Sequence, residues 1–112
     1  MRNVKLEKPM KEELYRESRV ARALGDPAKY VIADLLLRHG HLSVLEIARR
    51  IRRSKSTISH HLSILRGLDI VRYEAKSDGV YYWIKYPEEL RAIQQSLNLF
   101  VQRVQRGLSS DT

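Results

Sequence analysis

The stretch SKSTISHHLSILRGL, residues 54–68, decides the fold, because it predicts a helix with two different faces. One face is an apolar stripe, spaced at four, three and three residues, that must be buried: Ile58, Leu62, Leu65 and Leu68. The other face carries short hydrogen-bonding groups and one lysine: Lys55, Ser56, Ser59, His60 and Ser63. Serine is a weak helix former, so its repeated use there indicates that something polar approaches closely, as base edges do in a DNA major groove.

Positive charge surrounds this helix. No acidic residue occurs from position 47 to 68, whereas six cations do: Arg49, Arg50, Arg52, Arg53, Lys55 and Arg66. Five of them fall between positions 49 and 55, where they would repel one another on a merely solvated surface, so a phosphate partner is favoured. The whole chain has a formal charge of +8, which favours a polyanionic partner, nucleic acid before membrane.

Length and composition restrict the class of protein. At 112 residues the chain can bury one modest core, so we interpret residues 1–112 as a single domain. Hydrophobic residues make up 43% and recur periodically, which excludes a disordered basic tail. No apolar run approaches the about 20 residues needed to span a bilayer, and no secretory signal opens the chain, so we expect a cytoplasmic location. The absence of cysteine excludes disulfides and thiolate metal sites.

Helix signals precede residues 54–68. Apolar periodicity and capping residues predict three helices, over residues 10–24, 27–38 and 43–51. Asp26 is the expected N-cap of the second helix and Pro27 its first residue. Ser43 and Glu46 form the S-x-x-E pattern of a capping box at the third helix. A short helix, a tight turn and a polar-faced second helix, residues 43–68, make a helix-turn-helix pattern.

A β-hairpin and a long helix follow. The segments VRYEA (71–75) and VYYWI (80–84) are rich in β-branched and aromatic residues, and the residues between them include Asp-Gly, so residues 71–85 predict a hairpin, the wing of a winged helix. Arg72 and Lys76 are the wing cations expected to reach DNA.

Residues 87–108 predict a helix of about 30 Å, longer than a small core needs, with an apolar seam that usually meets a partner helix. Together with the helix over residues 10–24, this seam predicts a dimer interface: Leu14, Leu90, Ile93, Leu97, Phe100, Val101 and Val104.

Four motifs in a fixed order resemble a known family. LGDPAKYVIADLLL, LSVLEIA, SKSTISHHLSILR and GVYYWI together resemble the ArsR/SmtB-type winged-helix repressors, over about residues 20–86. The resemblance implies a mainly α fold with a small β-hairpin wing, in the order of four helices, two strands and a fifth helix. It also implies a homodimer joined by its first and last helices on a palindromic operator, with Lys55, Ser56, Ser59 and His60 facing bases or phosphates.

The chain departs from the family pattern in three places. The family's metal-sensing motif E-L-C-V-C is matched by residues 41–45, HLSVL, which lack both thiolates, and the last helix has no histidine for the alternative zinc or nickel site. We therefore expect no metal and no cofactor. The helix over residues 54–68 corresponds to the family's recognition helix, and the turn before it has Arg52 and Arg53 where the family usually has glycine and an aliphatic residue. A non-glycine residue costs about 1 kcal/mol in a left-handed turn, so either the turn geometry differs or phosphate contacts offset the strain.

These features predict a sequence-specific regulator that binds double-stranded DNA as a homodimeric repressor, with an unknown effector. The residues expected to contact DNA are Arg52, Arg53, Lys55, Ser56, Thr57, Ser59, His60, Ser63, Arg72 and Lys76. The alternatives are a sequence-indifferent architectural DNA-binding protein and a protein-interaction module that no longer touches DNA. No catalytic constellation is recognisable, so we expect no enzyme. His39 and His41 are an incomplete metal pair, whereas His61 is expected to be a satisfied residue at the edge of the core.

Overall fold

A computed structural model describes residues 11–110 of the chain. Its elements follow in the order α1 (Glu12–Leu24), α2 (Pro27–His39), β1 (Leu42–Ser43), α3 (Val44–Ile51), α4 (Lys55–Gly67), β2 (Val71–Lys76), β3 (Gly79–Ile84) and α5 (Pro87–Ser110). The predicted fold class, mainly α with a β-hairpin wing, is therefore confirmed. The expected start of the first helix at Met10 lies outside the described residues, and α5 continues two residues beyond its predicted end at 108.

Side-chain caps begin α2 and α3 at the residues that the sequence predicts, Asp26 and Ser43. The Asp26 carboxylate accepts the Lys29 N–H at the start of α2, at 3.0 Å. At α3 the capping box is complete, because Ser43 Oγ accepts the Glu46 N–H and Glu46 Oε1 accepts the Ser43 N–H. These bonds satisfy donors that the first helical turn leaves without an intrahelical partner. The helix boundaries around the helix-turn-helix are thus set by local residues.

The sheet has three antiparallel strands in the order β1–β3–β2. The hairpin pairs Val71 with Ile84 and Lys76 with Gly79, which leaves a two-residue loop of Ser77 and Asp78. Gly79 has a φ of 149°, a conformation that glycine adopts at no steric cost. The sequence did not predict β1, which pairs Leu42 with Tyr82 and anchors the wing to the start of α3.

The core forms where α2, α3 and α4 meet the base of the wing. Its fully buried side chains are Ile32, Leu36, Ile47, Ile58, Leu62, Leu65 and Val71. The predicted apolar stripe of α4 supplies three of them, while Leu68 is half-buried at the end of the helix. Burying each such side chain stabilises the fold by about 1.5–3 kcal/mol. The apolar face of α4 is thereby fixed inward, which turns its polar face to solvent.

The terminal helices contribute little to this core. In α1 only Ala23 and Leu24 are buried, and α5 exposes most of its length beyond Leu90. The radius of gyration is 17.4 Å, against about 13 Å for a compact domain of this size. No helix within residues 11–110 has the length and apolar character needed to cross a membrane.

Candidate nucleic-acid interface

The turn that joins α3 to α4 keeps the left-handed geometry. Arg52 has φ 63° and ψ 51°, and its N–H donates to the Ala48 carbonyl at 2.8 Å. The Arg53 N–H donates to the same carbonyl at 3.1 Å, and its Nη1 donates to the Arg52 carbonyl. The sequence left open whether this turn departs from the left-handed geometry that suits glycine. Arg52 adopts that geometry, so a different turn geometry is wrong. Arg52 carries a conformational cost of about 1 kcal/mol at this position.

Three hydroxyl groups gather at the N-terminus of α4. Ser54 Oγ accepts the Thr57 N–H at 3.1 Å and donates to Thr57 Oγ1 at 2.9 Å. Ser56 Oγ lies 3.3 Å from Ser54 Oγ. Because Thr57 Oγ1 accepts inside the cap, this predicted DNA contact already has one partner, although its side chain is exposed. The free N–H groups and the helix dipole make this end of α4 electropositive.

The outward face of α4 is exposed along its whole length. Its members are the residues predicted to read DNA from this helix: Lys55, Ser56, Ser59, His60 and Ser63. Ser63 Oγ donates to the His60 carbonyl at 2.8 Å, which uses its proton and leaves its lone pairs able to accept. Ser59 Oγ has no hydrogen-bonding partner within residues 11–110, so it can both donate and accept. The face therefore offers several unsatisfied polar groups to an approaching ligand.

Within residues 11–110, none of the cations predicted to meet DNA takes part in an ion pair. They are all exposed: Arg52, Arg53, Lys55, Arg72 and Lys76. The ion pairs of the described chain lie elsewhere and join Lys29 to Asp26, Arg38 to Asp34, and Lys85 to Asp69. The basic surface thus retains its charge, which is what phosphate neutralisation requires.

The wing carries its cations on the outer face of the sheet. Arg72 lies opposite Trp83, and Lys76 places its Nζ 5.1 Å from the centroid of the Tyr81 ring. The Tyr81 hydroxyl donates to the Asp78 carboxylate at 2.9 Å. This hydrogen bond raises the pKa of Tyr81 above its usual value. The two polar contacts of Tyr81 depend on the cross-strand register, which the sequence does not reveal.

His61 lies on the opposite side of α4, half-buried against the start of α2. Its Nδ1 is buried without a hydrogen-bond partner in the described chain, so the prediction of a satisfied residue is wrong on that point. Burial lowers the pKa of His61, the charges of Lys29 and His60 act in the same direction, and Asp26 opposes them. The neutral imidazole is therefore the form that fits this packing.

His39 and His41 contact different partners. The His39 Nε2 lies 3.4 Å from Arg50 Nη1, and the His41 ring stacks on Trp83 with ring centroids 4.6 Å apart. Residues 11–110 contain no group of three or more His, Cys, Asp or Glu side chains that could hold a metal ion. The metal-sensing site implied by the family resemblance does not fit these residues, because residues 41–45 supply a histidine in an aromatic stack and no thiolate.

The predicted dimer residues divide into two groups. Most are exposed apolar side chains, with Phe100 68% exposed: Leu14, Ile93, Leu97, Phe100, Val101 and Val104. Leu90 is different, because it is only 8% exposed and belongs to the core of its own chain. Its assignment to the interface is therefore corrected, since α5 packs its first turns on α2. The predicted interface did not include Tyr15 and Leu99, which are also exposed.

Comparison with known proteins gives consistent matches. The family model described as bacterial regulatory protein, arsR family, matches residues 26–73. The HTH-type transcriptional regulator MJ1325 of Methanocaldococcus jannaschii is 32% identical over 73 residues, covering 65% of this chain and 82% of that protein. The transcriptional repressor SdpR of Bacillus subtilis is 31% identical over 88 residues, covering 79% of this chain and 92% of the repressor.

A solved structure supports the fold over most of the chain. The homodimeric winged helix-turn-helix DNA-binding domain of Mb0332 from Mycobacterium bovis superposes with a TM-score of 0.72 at 21% identity. The match covers 88% of this chain and 95% of that domain, so it includes the terminal helices as well as the helix-turn-helix and wing.

Proposed function

Because the chain belongs to the ArsR family of bacterial regulatory proteins, we propose that it represses transcription by binding a pseudo-palindromic operator as a homodimer. As a member of this family it is a DNA-binding transcriptional regulator and not an enzyme. The observation that carries the proposal is the exposed polar face of α4, bordered by cations that have no acidic partner within residues 11–110. Repression in the cytoplasm is part of the same proposal.

In this proposal α4 enters the major groove. Lys55 and His60 have the reach to contact base edges, whereas Ser56 and Ser59 permit close approach and short hydrogen bonds. Ser63 acts as an acceptor, because its proton is held by the His60 carbonyl. The serines discriminate bases less strongly than Lys55, which can bond to guanine O6 and N7.

Phosphate contacts come from both sides of this helix. Arg52 and Arg53 precede it in the turn, and Arg72 and Lys76 project from the wing. The electropositive N-terminus of α4 adds backbone N–H donors, with Thr57 at its edge. Contacts of this type position the protein on the duplex but do not specify the sequence.

The second copy accounts for the exposed apolar side chains of α1 and α5. A helix of 24 residues is about 36 Å long, and much of its apolar stripe meets nothing in its own chain. The homodimeric state of Mb0332 supports the same arrangement. In a symmetric dimer the two copies of α4 would enter successive major grooves about 34 Å apart.

Selection of bound sequences from a random DNA pool tests this function, combined with light scattering of the purified protein. We expect an enriched palindrome bound by two copies, with specific affinity about 10³-fold or more above non-specific affinity. Ser59→Glu should abolish operator binding because it sets a carboxylate against DNA, whereas Ser59→Ala should bind with a modest loss. Tight binding without an enriched sequence would instead establish an architectural protein.

Salt dependence provides a second readout of the same complex. If six or more phosphates are contacted, operator affinity should fall by about 10³-fold or more between 50 and 200 mM salt. A flat response would contradict the assignment of the basic surface. Absence of binding at low salt would overturn the proposed function altogether.

A further inference from the structure

We propose that Tyr81 positions the wing tip for DNA, its hydroxyl holding the Asp78 carboxylate aside while its ring supports the Lys76 ammonium. The lysine charge then stays available to a phosphate. The proposal rests on the DNA-binding function above and assigns Tyr81 a positioning role within it.

The strand register places these three residues together. Because β2 and β3 pair Glu74 with Tyr81 and Lys76 with Gly79, Lys76 and Tyr81 are diagonal neighbours on the same face of the sheet. Lys76 Nζ lies 5.1 Å from the Tyr81 ring centroid, within the range of a cation–π contact. Asp78 lies in the two-residue loop and accepts the Tyr81 hydroxyl at 2.9 Å. One tyrosine therefore contacts both Lys76 and Asp78.

The arrangement matters because acidic groups flank Lys76 closely: Glu74 on β2 and Asp78 in the loop each lie two positions from it. No ion pair joins Lys76 to either carboxylate among residues 11–110, and of the two it is Asp78 that accepts the Tyr81 hydroxyl. Without the Tyr81 hydroxyl, Asp78 would either pair with Lys76 or turn towards the DNA backbone. The first would neutralise the cation and the second would repel phosphate, so both lower the affinity of the wing for DNA.

The protonation state of Tyr81 fits this role. Its hydrogen bond to Asp78 raises the pKa of Tyr81, and the Glu46 charge acts in the same direction. The hydroxyl therefore keeps its proton and donates throughout the neutral range. The positioning bond needs no ligand, so the wing tip is organised before DNA arrives, which avoids part of the ordering cost on binding.

A double-mutant cycle on the full chain tests the proposal. Tyr81→Phe keeps the ring under Lys76 but loses the hydroxyl, and we expect operator affinity to fall by about 3- to 10-fold at low salt, with a shallower salt dependence. Asp78→Asn alone should leave affinity close to that of the parent protein. The combination of Tyr81→Phe and Asp78→Asn should recover it, because the released side chain is then neutral. Tyr86→Phe, an exposed tyrosine outside the sheet, serves as the matched control and should change nothing.

Each other result overturns the proposal. An unchanged affinity in Tyr81→Phe would mean that the hydroxyl does not matter, and a loss that Asp78→Asn fails to rescue would mean that Tyr81 contacts DNA itself or only shapes the hairpin. The proton titration of Tyr81, followed by NMR, is an independent measurement that needs no Tyr81 variant: Asp78→Asn should bring its pKa down towards the usual value, and no change would refute the bond. The parent protein binds its selected operator in every comparison, so failure of the cycle is distinct from failure of the proposed function.

Discussion

Arg66, in the last turn of α4, holds its guanidinium carbon 4.8 Å from the ring centroid of Tyr73 on β2. The Tyr73 ring in turn stacks on Tyr82 of β3, with centroids 5.5 Å apart and an interplanar angle of 24°. Tyr82 is buried in the core, and that burial raises its pKa. The stack therefore connects the proposed recognition helix to the wing through side chains as well as through the short loop between α4 and β2.

We expect Arg66→Met to lower the free energy of unfolding by about 0.5–1 kcal/mol, because methionine keeps an apolar stem but loses the cation–π contact. Urea denaturation measures the change. In a Tyr73→Leu background the same substitution should cost close to nothing, since its partner is already gone. Arg16→Met, at an exposed position of α1, is the matched control and should change stability little. Additive effects of Arg66→Met and Tyr73→Leu would refute the coupling.

Replacing Arg52 with glycine should have opposite effects on the stability of the fold and on DNA affinity. Because Arg52 is left-handed, Arg52→Gly should raise the free energy of unfolding by about 0.5–1 kcal/mol, while Arg52→Val should lower it. Both variants remove a cation and should weaken operator binding, with the salt slope reduced by about one. Arg53→Gly is the control, since Arg53 has no positive φ, and should destabilise the fold. A destabilised Arg52→Gly protein would show that the turn is not strained.

Features that depend on neighbouring residues could be predicted from the sequence. The apolar stripe of α4 and the capping box of Ser43 and Glu46 act within one or two helical turns, so their pattern was sufficient to locate the helix-turn-helix. The hairpin loop was recognisable for the same reason. Strand β1 was missed because two residues carry no periodicity, and its partner Tyr82 is distant in sequence.

Features that depend on what covers a surface could not be predicted in this way. The seam of α5 is apolar from Leu90 to Leu108, but periodicity does not tell whether the same chain or a second copy buries each position. Leu90 is covered by its own core, whereas Phe100 is not. The contacts of Arg66 and Tyr81 were equally hidden, since they require the register and the packing of separate elements.

His61 should make the free energy of unfolding depend on pH. Burial lowers its pKa in the folded chain below the usual 6.5, so between these two values the unfolded chain binds more protons. The free energy of unfolding should therefore decrease as the pH falls through 6.5 and stop decreasing, for this group, below the folded-state pKa. Urea titrations between pH 5 and 7.5 measure it. His61→Gln should remove the slope and exposed His60→Gln should retain most of it; an unchanged slope in His61→Gln would assign the effect to another group.

Leu90 and Leu97 lie two turns apart on α5 and should behave differently. Leu90→Ala should lower the free energy of unfolding by about 2–5 kcal/mol, because it leaves a cavity in the core. Thermal or urea unfolding at a fixed protein concentration checks this. If Leu90→Ala instead dissociated a dimer of otherwise unchanged stability, the correction to its assignment would itself be wrong.

Leu97→Glu tests the proposed interface directly. Leu97 is 44% exposed in the single chain, so the substitution should leave the fold intact and place two carboxylates, one from each copy, in an apolar contact. An unpaired buried charge costs several kcal/mol, and sedimentation equilibrium should therefore show monomers at concentrations where the parent protein is dimeric. Gln95→Glu introduces the same charge at an exposed position roughly opposite Leu97 around α5, outside the predicted seam, and should remain dimeric. A dimeric Leu97→Glu, or equal dissociation of both variants, would refute an interface along this stripe and leave its exposed side chains to another partner.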